Sequence, residues 1–262
     1  MPPMRKDNRA DDQLRPVTVK RRFTSAPAGS VLWQQGRTLV WCTASIVPEV
    51  PPWFAPDRPG GWVTAEYVML PASTPQRKPW PRTGHTDSRG TEIQRIIGRA
   101  LRAVIDLTRI GPYTLAIDCQ VLEADGGTRT AAICGAYVAL CDALAAMPAE
   151  LPPPPRSAPD PLPRYDPANY RPREALVDQL AAVSVGIVEG RLLLDLDYED
   201  DASASVDLNV ACTAGGKLIE VQGTAEHGNG FDRGELDRML DLASVGCRQL
   251  MEIQRRALAA VG

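Results

Sequence analysis

The chain contains 262 residues, of which 44% are hydrophobic and 23% are charged. This length and composition fit a globular protein with one large core or two small ones, and they exclude a disordered or collagen-like chain. The formal net charge of -3 at pH 7 excludes a uniformly basic nucleic-acid-binding protein but allows a local basic surface. The six cysteines form no C-x-x-C pair and no apolar run is long enough to span a membrane, so we expect a reducing, cytoplasmic compartment.

In the first half of the chain, stretches rich in β-branched and aromatic residues predict strands, and apolar residues at helical spacing predict helices. The apolar stripe from residue 93 to 105 predicts a helix that ends at Gly111. A run of small residues that follows Asp125 predicts a second helix to about Met147. The predicted strands of this half cover residues 30–34, 38–47, 62–70 and 113–122.

Prolines interrupt the chain between residues 151 and 173, which predicts a linker. A long helix is predicted from about Arg233, with Asp232 as its N-cap and Glu235 three residues later. The strands predicted between linker and helix cover residues 182–188, 191–198, 205–213 and 218–223.

Each half thus has several strands followed by a long helix. This repetition predicts an α+β fold with two layers and an internal duplication. We place the N-terminal half at about residues 1–147, the linker at about 148–173 and the C-terminal half at about 174–262.

The segment from Asp125 to Thr130 has the chemistry of an anion-binding loop. Two glycines expose backbone N–H groups at a predicted helix start, while Thr128 offers a hydroxyl and Arg129 a guanidinium. Arg89, at the start of the first long helix, is a candidate for a second guanidinium on the same anion. The alternative is an ordinary strand-to-helix turn in which Asp125 or Thr128 caps the helix.

Two carboxylates in the second half form a candidate metal site. Small residues between Asp201 and Asp207 allow a bend, and Asp207 shares a strand face with Asn209. Such hard oxygen ligands suit Mg²⁺ or Mn²⁺. The nearby Asp195 and Asp197 alternate with apolar residues, which predicts a half-solvated strand rather than a site.

Residues 71–89 are rich in proline and basic side chains, among them Arg77, Lys78 and Arg82, which predicts an exposed cationic loop. Several mechanisms are excluded, because the chain has only two histidines, no G-x-S-x-G sequence and no standard nucleotide-binding loop. An anion-binding loop, arginines and a carboxylate pair together favour phosphoryl transfer on a polyanion.

Seven short runs are distributed along nearly the whole chain: residues 14–17 (LRPV), 42–46 (CTASI), 62–67 (WVTAEY), 92–95 (EIQR), 124–131 (ADGGTRTA), 183–186 (VSVG) and 219–226 (IEVQGTAE). Together they resemble the ribonuclease PH family, and several runs in order are far more specific than one motif. The family's usual Gly-Gly-Arg-Thr run differs here, where Arg89 precedes Gly90.

The resemblance implies a phosphorolytic 3′→5′ exoribonuclease, or tRNA nucleotidyltransferase, that trims the 3′ end of precursor tRNA. Inorganic phosphate would be the co-substrate and nucleoside diphosphates the products. The implied fold is a duplicated ribonuclease PH-type domain with mixed sheets, assembled as a hexameric ring of dimers. By motif position, the implied phosphate-binding residues are Arg89, Gly127, Thr128 and Arg129. The implied catalytic and metal-binding residues are Asp201 and Asp207, with Mg²⁺ or Mn²⁺ as the metal. With RNA as the implied substrate, Arg77, Lys78 and Arg82 of the cationic loop are the candidate RNA-binding residues.

Two other functions stay open at this point. The first is a catalytically silent RNA-binding subunit of an exosome-type ring, against which the presence of both arginines and both carboxylates argues. The second is a metabolic enzyme that uses phosphate on a small substrate, which the net charge of -3 favours and the cationic loop disfavours.

Overall fold

A computed structural model describes residues 5–55, 58–80, 87–150, 167–226 and 230–260. The first half forms a mixed sheet of five strands, namely β1 (Val17–Arg21), β2 (Gly29–Gln35), β3 (Thr38–Val47), β4 (Trp62–Met69) and β5 (Thr114–Glu123). The strands lie in the order β1-β2-β3-β5-β4, and β4 runs parallel to β5 while the other neighbours are antiparallel. The long helices of this half are α1 (Ser88–Arg102) and α2 (Thr128–Ala146).

The second half forms an antiparallel sheet of four strands: β6 (Leu180–Val188), β7 (Arg191–Leu194), β8 (Val206–Thr213) and β9 (Leu218–Ala225). Their order is β7-β6-β8-β9. The helices of this half are α3 (Tyr198–Ser203) and α4 (Arg233–Ala259). The predicted fold class, two mixed α and β halves with long helices, is confirmed. Residues 151–166 of the proline-rich segment lie outside the described residues, and its described end contains two short 3₁₀ turns.

Helix α2 lies at the centre of one continuous hydrophobic core and packs on strands of both sheets. Small residues allow this close approach, because a Cβ at Gly135 would come within 2.8 Å of Cys42 Sγ. Among the described residues α2 is the one helix long and apolar enough to cross a membrane, but 72% of its apolar window is buried inside the protein. A helix that is apolar all round is expected at such a buried position.

The predicted strand over residues 191–198 is confirmed for residues 191–194 and was wrong for residues 195–198. The strand β7 ends at Leu194, and Asp195 is buried in a left-handed conformation with φ of 56°. Asp197 then caps helix α3 instead of continuing the strand. The alternation of acidic and apolar residues predicts a half-solvated strand. It cannot show that Asp195 is buried, because the partner of this carboxylate, Arg15, lies 180 residues away in the sequence.

The predicted end of α1 was wrong, whereas the predicted end of α2 at about Met147 is confirmed, because α2 ends at Ala146. Helix α1 ends at Arg102 rather than at Gly111, because the following residues leave the helix: Ile105 bridges to Leu176, and Leu107–Arg109 form a 3₁₀ turn. The capping box at the start of α4 is confirmed by two reciprocal hydrogen bonds.

Candidate functional site

A cleft of about 1220 Å³ runs between the two halves. The first half lines it with the segment after β4, the start of α1 and the loop before α2, and the second half lines it with α3, β8 and β9. Every predicted site residue that the structure describes is in this lining: Arg77, Lys78, Arg89, Gly127, Thr128, Arg129, Asp201 and Asp207. Arg82 lies outside the described residues. Basic and acidic stretches far apart in the sequence therefore meet in one cleft.

The start of α2 has no side-chain cap. Gly127 is the N-cap residue, with a left-handed φ of 63°, and no described side chain caps the helix. The alternative in which Asp125 or Thr128 caps α2 is therefore wrong. Gly126 is also left-handed, and a Cβ there would lie 2.5 Å from the carbonyl carbon of Asp197, so the turn requires glycine. The first-turn N–H groups and the positive end of the helix dipole are left for an anion.

The hydroxyl of Thr128 is oriented by a tyrosine that the sequence analysis did not single out. Tyr67 on β4 donates a hydrogen bond to Thr128 Oγ1 at 2.8 Å, and both side chains are buried. Burial raises the pKa of Tyr67 to about 12, so the phenol stays protonated and remains a donor. Because Thr128 Oγ1 accepts this bond, its own proton can be donated to an anion in the cleft.

Two arginines border the same part of the cleft. Arg129 donates to Gln222 Oε1 on β9, and Gln222 Nε2 donates to Glu92 Oε1 on α1 at 2.6 Å. The second half of the molecule thereby orients an arginine of the first half. Arg89 is exposed near the start of α1 and has no ion-pair partner among the described residues. Arg89 is therefore available to a ligand.

The two predicted catalytic carboxylates face these arginines. Burial raises the pKa of Asp201 above its usual value, and the positive charges of Arg89 and Arg129 offset only part of the rise. Burial also raises the pKa of Asp207, and the negative charges of Asp201 and Glu226 raise it further. The carboxylates therefore repel one another, and a cation between them would relieve that repulsion.

The carboxylate pair fits a divalent cation that also has phosphate ligands. Asp207 Oδ1 is buried and has no hydrogen-bond partner in the described part of the chain. Within the same residues no group of three or more His, Cys, Asp or Glu side chains is placed to hold a metal ion. Mg²⁺ is commonly bound by one or two carboxylates, with substrate phosphates and water completing its shell. Asp201 and Asp207 are suited to that kind of shared site rather than to a closed protein cage.

Sequence reasoning missed several cleft residues. Tyr67 and Gln222 lie in two of the runs that carry the family resemblance, and this was the available signal for them. Tyr198 lines the cleft and is 64% exposed, but its position was predicted to be the end of a strand. On α3 it lies three residues before Asp201, so both side chains are on the same helix face.

Comparison with protein families identifies both halves. A model described as "3' exoribonuclease family, domain 1" matches residues 13–145, and the model for domain 2 of that family matches residues 178–246. The junction between the two matches coincides with the proline-rich segment. Each match includes one side of the cleft.

Among curated proteins, the chain is 51% identical to Ribonuclease PH of Rhodococcus erythropolis over 259 residues, which is 97% of this chain and 91% of that protein. It is 50% identical to Ribonuclease PH of Nocardia farcinica over 256 residues, with 97% and 92% covered. Among solved structures, an Archaeoglobus fulgidus exosome with RNA bound to the active site superposes with a TM-score of 0.71 at 21% identity, over 95% of this chain and 92% of that one. This last similarity shows the shared fold.

Proposed function

The chain belongs to the 3′ exoribonuclease family, and from this premise we propose that it is a phosphorolytic 3′→5′ exoribonuclease that releases nucleoside diphosphates. The observation that carries the proposal is the convergence of the uncapped start of α2, Arg89 and Arg129 with Asp201 and Asp207 in one cleft. Relatives at about half identity over nearly the full chain support the same activity.

The chemistry follows from the charges on each side of the cleft. Inorganic phosphate is held by Arg89, Arg129, the Thr128 hydroxyl and the N–H groups at the start of α2. A phosphate oxygen attacks the phosphorus of the last phosphodiester, and the bond to the 3′ oxygen of the preceding nucleotide breaks. That oxygen takes up a proton, and the terminal nucleotide leaves as a diphosphate. No covalent enzyme intermediate is needed.

Asp201 and Asp207 would hold Mg²⁺ or Mn²⁺ together with phosphate oxygens of the substrates. When bound, such an ion neutralises charge on the reacting phosphate and stabilises the departing oxygen. The protein's own part is to keep both carboxylates charged and to hold them at the cleft, where Asp207 Oδ1 has no hydrogen-bond partner among the described residues. Arg129 opposes the rise in the pKa of both carboxylates, so the anion-binding side helps to keep the acidic side charged.

We propose RNA with a single-stranded 3′ end, such as that of precursor tRNA, as the substrate. Arg77 and Lys78 lie along the lining after β4, where they can contact the phosphates of nucleotides upstream of the scissile bond. The proposed assembly is a hexameric ring of dimers in a reducing, cytoplasmic compartment. All six cysteines, each within the described residues, are free thiols, which supports that location.

The remaining alternative is a catalytically silent RNA-binding subunit of an exosome-type ring. The presence of the full set of arginines and carboxylates in one cleft disfavours it, because a subunit that only binds RNA has no need of a mutually repelling carboxylate pair beside its basic groups.

The test is digestion of a short single-stranded RNA with Mg²⁺, with and without inorganic phosphate, followed by chromatography of the products. We expect nucleoside diphosphates that require phosphate. Monophosphate products, or equal activity in phosphate-free buffer, would contradict phosphorolysis, and no cleavage by the intact protein in either buffer would favour the silent subunit.

A further inference from the structure

We propose that a buried ion pair between Arg15 and Asp195, beneath the cleft, is a positioning device that holds the phosphate-binding loop (residues 125–128) and helix α3, which carries Asp201, in one geometry. The inference rests on the proposed function, because it concerns how that site is assembled. Neither residue lines the cleft, so both act through the groups that do.

The pair is tightly built and almost completely shielded from water. Arg15 Nη2 donates to Asp195 Oδ1 at 2.7 Å, and the backbone N–H of Arg15 donates to Asp195 Oδ2 at the same distance. The side chains are 4% and 1% exposed. Burial raises the pKa of Asp195, but the charge and hydrogen bonds of Arg15 outweigh burial and hold it below its usual value. Asp195 is therefore an ionised carboxylate in the interior.

On one side the pair supports the phosphate-binding loop. Arg15 Nη1 donates to the carbonyl oxygen of Asp125, two residues before the N-cap of α2. A Cβ at Gly127 would lie 3.0 Å from Arg15 Nη2, so the guanidinium packs directly against that turn. The position of the N–H groups that would hold phosphate thus depends on where Arg15 lies.

On the other side the pair sets the start of α3. Asp195 takes its left-handed turn two residues before Asp197, which caps the helix that carries Asp201. Two more arginines of the N-terminal segment fix this turn: Arg5 Nη1 donates to the carbonyl oxygen of Leu194 at 2.7 Å, and Arg9 Nη1 donates to that of Asp195 at 3.1 Å.

The two sides also touch directly, because the phosphate-binding loop rests on the backbone of Leu196 and Asp197. Movement of the Arg15–Asp195 pair therefore displaces the phosphate-binding loop and the start of α3 together. Loss of an ordinary structural contact has a different consequence, since it lowers the folded fraction and leaves the affinity of the remaining folded site unchanged.

The test compares Asp195→Asn with a matched control, Asp142→Asn. Asp142 pairs with Arg21, whose Nη1 also holds carbonyl oxygens near the end of α4, among them that of Ala257 at 3.0 Å. Asp142 lies twelve residues beyond Thr130 on α2, or about 18 Å along the helix axis. Both substitutions remove one charge from an intramolecular ion pair.

Phosphate and Mg²⁺ are varied separately in phosphorolysis of a short RNA, well below the Tm of each variant. For Asp195→Asn we expect a KM for phosphate and a half-saturating Mg²⁺ concentration that each rise about tenfold or more. For Asp142→Asn we expect a lower Tm with both constants within about twofold of wild type. If Asp195→Asn lowers only kcat, or matches Asp142→Asn, the pair is structural and the proposal is overturned.

If Asp195→Asn does not fold, the test uses Arg15→Lys instead, because this variant keeps the charge pair. A lysine can reach Asp195 but lacks the planar fork that also reaches Asp125. We expect the KM for phosphate to rise about tenfold with a smaller change in Mg²⁺ dependence, and an unchanged KM would overturn the proposal. A wild-type protein that releases no diphosphates in this assay would instead refute the proposed function, so the two failures are distinguishable.

Discussion

The two central helices of the molecule begin in opposite ways. Helix α4 starts with a full capping box, in which Asp232 accepts from the Glu235 N–H at 2.7 Å and Glu235 accepts from the Asp232 N–H at 2.9 Å. Helix α2 starts at a left-handed glycine, Gly127, with no side-chain cap among the described residues. Both are long helices that follow a sheet, so the architecture of the halves does not account for the difference.

The comparison shows where the protein leaves room for a ligand. At α4 the capping box satisfies two N–H groups and places the carboxylates of Asp232 and Glu235 at the helix start, which stabilises the fold and disfavours an anion there. At α2 the same groups border a cleft, and Arg129 in the first turn adds a positive charge. We therefore interpret the missing cap as a functional feature, in which an anionic substrate would take the place of the capping side chain.

The largest effect is expected from Asp207→Asn, which removes one carboxylate from the acidic side of the cleft. Removal of this charge takes away a ligand of the proposed metal, and we expect kcat to fall about 10²-fold or more while the Tm is retained. Steady-state phosphorolysis and thermal denaturation measure the two quantities. Asp237→Asn on the exposed face of α4 is the control, and comparable activities of the two variants would remove Asp207 from the mechanism.

The next largest effect is expected from Arg129→Ala, which weakens the uncapped helix start. A charge-assisted hydrogen bond contributes about 1.5–3 kcal/mol, so the KM for phosphate should rise about 10- to 100-fold. Arg233→Ala is a matched control, because Arg233 occupies the first turn of the capped helix α4 and is largely exposed. Equal KM values for the two variants would show that the difference between the two helix starts does not affect phosphate binding.

A smaller effect is expected from Asp232→Ala, which removes the cap of α4. Loss of an N-cap costs about 1 kcal/mol, which lowers the Tm by about 2–4 °C for a chain of this size. The KM for phosphate should not change. A raised KM with an unchanged Tm would mean that the start of α4 also belongs to the anion site.

The smallest effect concerns pH and the stability of the metal-free protein. The pKa of Asp207 is raised in the folded state, so its charged form opposes folding at neutral pH, and this opposition is lost as the pH falls through the folded-state pKa. Metal-free Asp207→Asn should therefore have a slightly higher Tm than wild type at pH 7, with the difference shrinking toward acidic pH. A lower Tm for the variant at pH 7 would contradict the raised pKa.

Local sequence signals predicted much of the fold but little of the site's support. The capping box of α4 was recognised because Asp232 and Glu235 are three residues apart, and the strands were recognised from their own composition. Tyr67 meets Thr128 across 61 positions and Arg15 meets Asp195 across 180, so no local pattern could reveal either contact. The family resemblance supplied the candidate phosphate-binding and catalytic residues, and the structure was needed to find the residues that contact and support them.

The most direct test is calorimetric titration of inorganic phosphate into the intact protein without RNA. We expect wild type and Asp232→Ala to bind phosphate equally, and Arg129→Ala to bind it about tenfold more weakly or worse. Equal phosphate affinity in wild type and Arg129→Ala would contradict the account, because the uncapped start of α2 would then not be the phosphate site.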